Sequence, residues 1–260
     1  MDVVRPEFLP DASLDREAME SMQRDIANAA SFADDGVPDP GDFVIAGSVE
    51  EHGEYDPDGG PVVVGVDQAF VGDEAAVSAT VAVQDGRIVE QSAGREPQEF
   101  PYIPGLLAFR EAPAIVDALE SLQTPADILV LDGSGRIHYR QAGIATHVGL
   151  LVDVPAIGVA KRLLCGHPES SLDDPLAEGT RVAIRADDEV DAPNGTRIGY
   201  AFQSRQYPNP ERRHVNPLFV SPGHRISAET AVDVVEATCA GYKLPEPTRL
   251  ADKRADELKR

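Results

Sequence analysis

The sequence predicts an α/β fold, a mixed β-sheet flanked by helices, and three observations carry that prediction. Two unbroken apolar runs, 62–66 and 128–131, have the length of buried central strands, and each leads into an aspartate. Two more strand-like stretches, 76–84 and 87–93, lie between them and are joined by Asp85-Gly86, a favoured tight-hairpin dipeptide. Helical stretches then alternate with the remaining strands. A chain of 260 residues with 42% hydrophobic content can bury a substantial core in one large domain or two small ones.

The elements follow in order. Residues 11–30 read as an amphipathic helix, with Leu14, Met19, Met22 and Ile26 recurring at helical spacing. Residues 34–60, rich in Asp, Gly and Pro, read as a long surface connection. After the first strand and the hairpin, 106–122 fits a helix closed by Thr124-Pro125. The strand at 128–131 runs into Asp132-Gly133-Ser134-Gly135, followed by a helix at about 141–152 and a short strand at 156–160. Residues 181–203 read as strands around an Asn194-Gly195 turn, and 226–242 as a final helix. A parallel dinucleotide-binding sheet would not open with a hairpin. Three strands with a hairpin, then helix, strand and helix, is the order of a ribonuclease H-like domain. The expected division is an acidic N-terminal helix and linker (1–60), a ribonuclease H-like domain (61–245) and a charged C-terminal tail (246–260).

The formal net charge is −22, and 19 of the 23 basic residues are arginine, with lysine only at 161, 243, 253 and 259. An acidic, lysine-poor chain suits a multimolar-salt cytoplasm, where screening removes self-repulsion; the alternative is an ordinary acidic protein. Taken alone, the charge argues against a nucleic-acid partner. It is unevenly spread, however. Residues 1–60 carry −13, while 181–225 holds seven arginines against five acids. No apolar run approaches the ~20 residues that span a bilayer, and the N-terminus has no signal pattern, so a cytoplasmic protein is expected. Cys165 and Cys239 are isolated, without zinc or disulfide spacing.

Asp67 and Asp132 sit in or at the end of apolar strands, where a carboxylate is costly to bury without a cation. Neighbouring strands would bring the two together, and paired carboxylates repel unless they share a proton or a metal. A few hard oxygen ligands suit Mg²⁺ or Mn²⁺. Glu111, near the start of the intervening helix, is a candidate third member. The alternative has Asp132 capping the next helix and Asp67 facing water. Pro101-Tyr102-Ile103-Pro104-Gly105 forms a stiff loop with an apolar tip, suited to wedging between bases or to packing on its own domain.

Four segments in register, PYIPGLLAFRE (101–111), LDGSGRIHYRQAGIATHVGLL (131–151), PAIGVAK (155–161) and PGHRIS (222–227), resemble endonuclease V, the deoxyinosine 3′-endonuclease family. The resemblance covers roughly residues 10–245. It implies Mg²⁺-dependent cutting (Mn²⁺ able to substitute) of the second phosphodiester bond 3′ to a deaminated adenine, leaving 3′-OH and 5′-phosphate. By position it makes Asp67 and Asp132 metal ligands, with Glu111 completing the acidic site. It places Lys161 near the scissile phosphate and makes His224 the active-site histidine, although a histidine at a helix start is more often a surface residue. Tyr102, with Ile103 and Pro104, matches the base-replacing wedge. Gly105, Leu107, Gly133, Gly135 and His138 match the hypoxanthine pocket. Three positions depart from the family pattern: Gln68-Ala69-Phe70 after the first aspartate, Tyr139 where proline is usual, and Ser134 within Asp-Gly-x-Gly. Arg205, Arg212 and Arg213 are candidate phosphate contacts; the alternative is a solvated loop pairing with nearby acids.

The expected partner is DNA containing deoxyinosine, bound by a monomer and not at a membrane. Inosine-containing RNA is an alternative substrate, since nothing in the sequence reads the 2′-hydroxyl. A non-cutting lesion-binding module is a further alternative, which intact Asp67, Glu111 and Asp132 disfavour.

Overall fold

A computed structural model describes residues 1–72, 74–98 and 103–260. Its strands are β1 (Val63–Val71), β2 (Ala75–Gln84), β3 (Arg87–Pro97), β4 (Ile128–Asp132), β5 (Ala156–Ala160), β6 (His167–Pro168), β7 (Arg181–Arg185), β8 (Arg197–Phe202) and β9 (Leu218–His224). The helices are α1 (Arg16–Ala29), α2 (Leu107–Ser121), α3 (Ile144–Val152), α4 (Ala228–Thr238) and α5 (Glu246–Leu258). Among the described residues the strands make one sheet, in the order β3-β2-β1-β4-β5-β9-β8-β7-β6. β1, β4 and β5 are parallel, and every other pairing is antiparallel. The ribonuclease H-like mixed sheet expected from the element order is therefore present.

Alternation along the central strands builds two cores on opposite faces. Val64, Val66, Leu129 and Leu131 meet Ala112, Ile115 and Leu119 of α2 and Ile144 and Val148 of α3. Val63, Ile128 and Val130 face the other way, toward Val232 and Val235 of α4 and Ala251 of α5.

Two elements differ from the sequence reading. β9 was not expected, and it contains Pro222-Gly223, residue types that favour turns. Yet the strand is wholly buried, and the register slips by one residue against Ala156/Ile157, so the proline sits at a bulge where its missing N–H is tolerated. The charged segment read as a tail is α5, lying across β1, β2 and β4. Its first turn approaches the sheet so closely that a Cβ on Gly65 would stand 2.1 Å from the Pro247 carbonyl. Buried Glu246 latches it there, accepting from the Val49 N–H and from two Arg249 nitrogens, each at 2.8 Å. The 34–60 connection is likewise anchored, with Phe43, Ile45 and Val49 buried in the α4–α5 core.

Candidate active site

The parallel register pairs Val66 with Leu131, so the next residues, Asp67 and Asp132, emerge side by side at the carboxyl ends of β1 and β4. Both belong to the face covered by α5. One turn along α5 from Thr248, whose hydroxyl meets the Val130 carbonyl at 3.4 Å, the same helix face presents Asp252. Asp67, Asp132 and Asp252 each place a carboxylate oxygen within 4.8 Å of the others. Sequence reading found two of these ligand candidates and missed Asp252, which lies in the supposed tail.

Lys161, just beyond β5, donates to Asp132 Oδ2 at 2.7 Å and lies 3.8 Å from Asp252 Oδ1. Burial pulls the ammonium downward, but the hydrogen bond to Asp132 and the three aspartates outweigh it and hold Lys161 above its ordinary value. Asp67 is 6% exposed. Burial, then the charge of Asp132, pushes its carboxyl up to about 8, against the Gln68 N–H that donates to Oδ1 at 2.8 Å. Three carboxylates with hard oxygen donors, one of them unable to ionise comfortably alone, fit a divalent cation.

Glu111 does not join this trio. It projects from α2 on the opposite face of the sheet, buried, and burial followed by the Asp132 charge lifts it to about 8. There it lines a cavity of about 320 Å³ with Asp132, Gln68, Pro104, Gly105, Leu107, Gly133 and His138. The acidic trio and the cavity thus share Asp132. Gln68 Nε2 donates to the Asp132 carbonyl at 3.3 Å, while its buried Oε1 has no hydrogen-bond partner among the described residues.

The cavity is braced from behind. His138 accepts the Arg140 N–H at Nδ1 (3.2 Å), so the proton belongs on Nε2, which donates to the Gly105 carbonyl at 3.1 Å. Burial, then Arg140, lowers His138 to about 4, so the ring is neutral. Fully buried Gln23 of α1 donates to the same Gly105 carbonyl at 2.9 Å, a contact the sequence did not signal. Gly135 was expected in the pocket lining but stands behind it, with its N–H donated to Ser221 Oγ at 2.9 Å. The Gly133 N–H is likewise committed, to the Val159 carbonyl at 3.0 Å. Ile103 packs against Met19, Leu106 and Phe109. Tyr102 lies outside the described residues.

His224 is not at the acidic site. It pairs with Ala156 at the start of β5, whereas Asp132 pairs with Val159 near its end, roughly 10 Å along the strand. Its Nδ1 accepts the Ser31 N–H at 3.3 Å and its Nε2 meets Asp153 at 3.1 Å, joining the N-terminal segment to the sheet. Arg205, Arg212 and Arg213 lie on the loop between β8 and β9, and Arg205 lines a separate small cavity.

The Endonuclease V family model matches residues 45–253, spanning β1 to most of α5. The chain belongs to the endonuclease V family. An endonuclease V from Halobacterium salinarum is 61% identical over 267 residues, covering 99% of this chain and all of the relative. The crystal structure of the Bacillus subtilis endonuclease V is 25% identical and superposes with a TM-score of 0.78, over 100% of this chain and 97% of that one. A Ciona intestinalis endonuclease V, solved in complex with a 24mer DNA containing an inosine followed by a ribo-adenosine, is 25% identical with a TM-score of 0.67, over 94% and 99% of the two chains. As an endonuclease V, this protein is a nuclease acting on phosphodiester bonds. None of its described helices is long and apolar enough to cross a membrane.

Proposed function

We propose that this endonuclease V recognises inosine, the product of adenine deamination, and cleaves the second phosphodiester bond 3′ to it, leaving 3′-OH and 5′-phosphate, in DNA repair. The observation that carries this reading is the junction at Asp132 between an acidic trio and a base-sized cavity. The relative solved with inosine-containing DNA supports the choice of base.

Asp67, Asp132 and Asp252 would hold Mg²⁺, with Mn²⁺ able to substitute. When bound, the cation polarises the phosphate and acidifies its water. The chain's own residues do the rest. Lys161 donates to Asp132 and presents a cation to the scissile phosphate. Neutral His138 holds the Gly105 carbonyl in place, which fixes the floor of the cavity. Glu111, carrying a proton at neutral pH, offers a buried O–H donor beside Asp132. Leu107, Ala108 and Ile144 exclude water and stack against an extruded base. Inosine pairs weakly, so its extrusion costs less than that of a normal base, and this difference favours the lesion.

The net charge of −22 sets the working conditions. At multimolar salt the Debye length is about 3 Å or less, so the global field scarcely repels a strand. The enzyme is proposed to act as a monomer in a salt-rich cytoplasm, with activity that persists or rises with KCl. The test is a nick map in multimolar KCl with Mg²⁺, on matched DNA and RNA strands carrying inosine or adenine at one position. A single nick one nucleotide beyond the inosine-adjacent bond is expected in DNA. Equal cutting of adenine strands would overturn lesion recognition, and a strong preference for RNA would reassign the substrate.

A further inference from the structure

The chain carries 45 acidic residues against 23 basic ones, and its arginines commonly sit on carboxylates. Arg140 meets Glu20, Arg185 meets Glu169, and Arg225 meets Asp35 and Asp153. Several cations among the described residues lack such a partner, and four of these stand together around one loop and its cavity. Among the described residues, Arg205, Arg212, Arg213 and Lys243 have no carboxylate partner. In a protein with so large an acid excess, four adjacent cations left without acids mark a place kept for an anion from outside.

The place is built. Buried Gln206 uses its whole amide to pinch the loop after β8: Nε2 donates to the Leu176 and His214 carbonyls (3.1 and 2.7 Å), and Oε1 accepts from the Tyr207 and His214 N–H groups (3.0 and 3.3 Å). On the pinched loop Arg212 lies over the Tyr207 ring at 5.1 Å, and Arg213 Nε donates to the Tyr207 carbonyl at 3.1 Å. Beneath it is a cavity of about 170 Å³ lined by Arg205, Gln206, Tyr207, His214, Asn216 and Lys243, without a single acid. Lys243 is one of only four lysines, and its ammonium is held by a neutral group, the Asn216 side-chain oxygen. Asn216 lies two residues before β9, where Phe219 pairs with Ala160, the residue preceding Lys161, so the cavity lies toward the same end of β5 as the cutting centre. Burial, then the charge of Lys161, lowers the Lys243 ammonium while Asp132 opposes the shift.

We propose that this cavity is a subsite for a backbone phosphate of the substrate strand, neighbouring the phosphate held at the Asp67–Asp132–Asp252 centre, with Lys243 and Arg205 as its charged donors. The proposal rests on the nuclease reading and adds to it a second anchoring point. Arginine and lysine are the donors suited to a tetrahedral oxyanion, and contacts of this kind fix the register of a strand without reading its bases. Two fixed phosphates define how far along the strand from the extruded base the cut falls.

The test is binding of a fluorescein-labelled inosine strand by anisotropy, in EDTA to prevent cutting, across KCl concentrations that leave the far-UV circular dichroism unchanged. Lys243→Gln is expected to weaken binding about tenfold and to reduce the slope of log Kd against log [KCl] by about 0.7. Lys243→Arg restores the slope, and Lys259→Gln, on the far end of α5, leaves it unchanged. A series of strands each carrying one neutral methylphosphonate should contain one position whose penalty in the wild type disappears in Lys243→Gln. An unaltered slope in Lys243→Gln, or a methylphosphonate penalty that persists at every position, overturns the subsite. If the wild type neither binds nor nicks inosine strands, the nuclease reading falls and the subsite with it; normal nicking with an unaltered slope removes the subsite alone.

Discussion

Replacing Asp67 by Asn removes an ionisable group while keeping the shape of the side chain. In the metal-free protein the Asp67 carboxyl is raised from 3.8 to about 8, by burial and by Asp132. The folded state therefore binds this proton more tightly than the unfolded chain. The resulting stability is fully present below the unfolded value of 3.8 and drains away as pH rises toward 8. At pH 7 the loss is at most about 4 kcal/mol, from 1.36 kcal/mol per pH unit. Asn escapes it. For a chain of this size, 1 kcal/mol shifts Tm by about 2–4 °C. In EDTA and multimolar KCl, Asp67→Asn should melt several degrees above the wild type at pH 8, with the difference shrinking toward pH 4. Glu111, raised in the same direction, keeps a residual slope in the variant. Millimolar Mg²⁺ should raise the wild-type Tm, by stabilising only the folded state, and should raise the variant's much less. A variant that melts at or below the wild type at pH 8 in EDTA, or that retains the full Mg²⁺ shift, would refute the reasoning.

Other expectations follow from the same geometry. Asp252→Asn should reduce Mg²⁺-dependent nicking on the order of 100-fold and weaken the Mg²⁺-induced Tm shift, whereas Glu111→Gln should reduce nicking and leave that shift in place. His224→Gln breaks the link from Asp153 to Ser31, so chemical denaturation should report a loss of about 1–3 kcal/mol while kcat stays within about twofold of the wild type. Gly135→Ala would set a Cβ 2.3 Å from the Pro222 carbonyl oxygen and 2.8 Å from its carbon. The loop must shift, and a weaker Kd for inosine strands in EDTA is expected together with a lower Tm.

Apolar alternation and turn chemistry made the central sheet legible, because β1 and β4 are buried on both faces and read as unbroken runs. Their register then placed Asp67 and Asp132 together. α5 was obscured because its charged residues dominate the segment, while the face toward the sheet is small: Thr248, Ala251 and Ala255 recur at helical spacing with little apolar bulk. That spacing was the available signal for Asp252. β9 was hidden by Pro222-Gly223, turn residues that a bulge accommodates. The position of His224 was not legible for a related reason: a motif shared with a family says which residue is present, but only strand pairing says at which end of β5 it lies. Gln23 belongs to a helix whose amphipathic stripe was visible, yet a long-range amide contact to Gly105 leaves no trace in local periodicity.

The most direct test of the central claim is Mg²⁺-dependent nicking of a single-inosine DNA strand by wild type and Asp132→Asn, with unchanged circular dichroism as the folding control. Among the described residues, Asp132 is the side chain shared by the acidic trio, Lys161 and the cavity. The account predicts that the wild type nicks only when Mg²⁺ or Mn²⁺ is supplied, and that Asp132→Asn fails to nick at any metal concentration. Undiminished nicking by Asp132→Asn would contradict it.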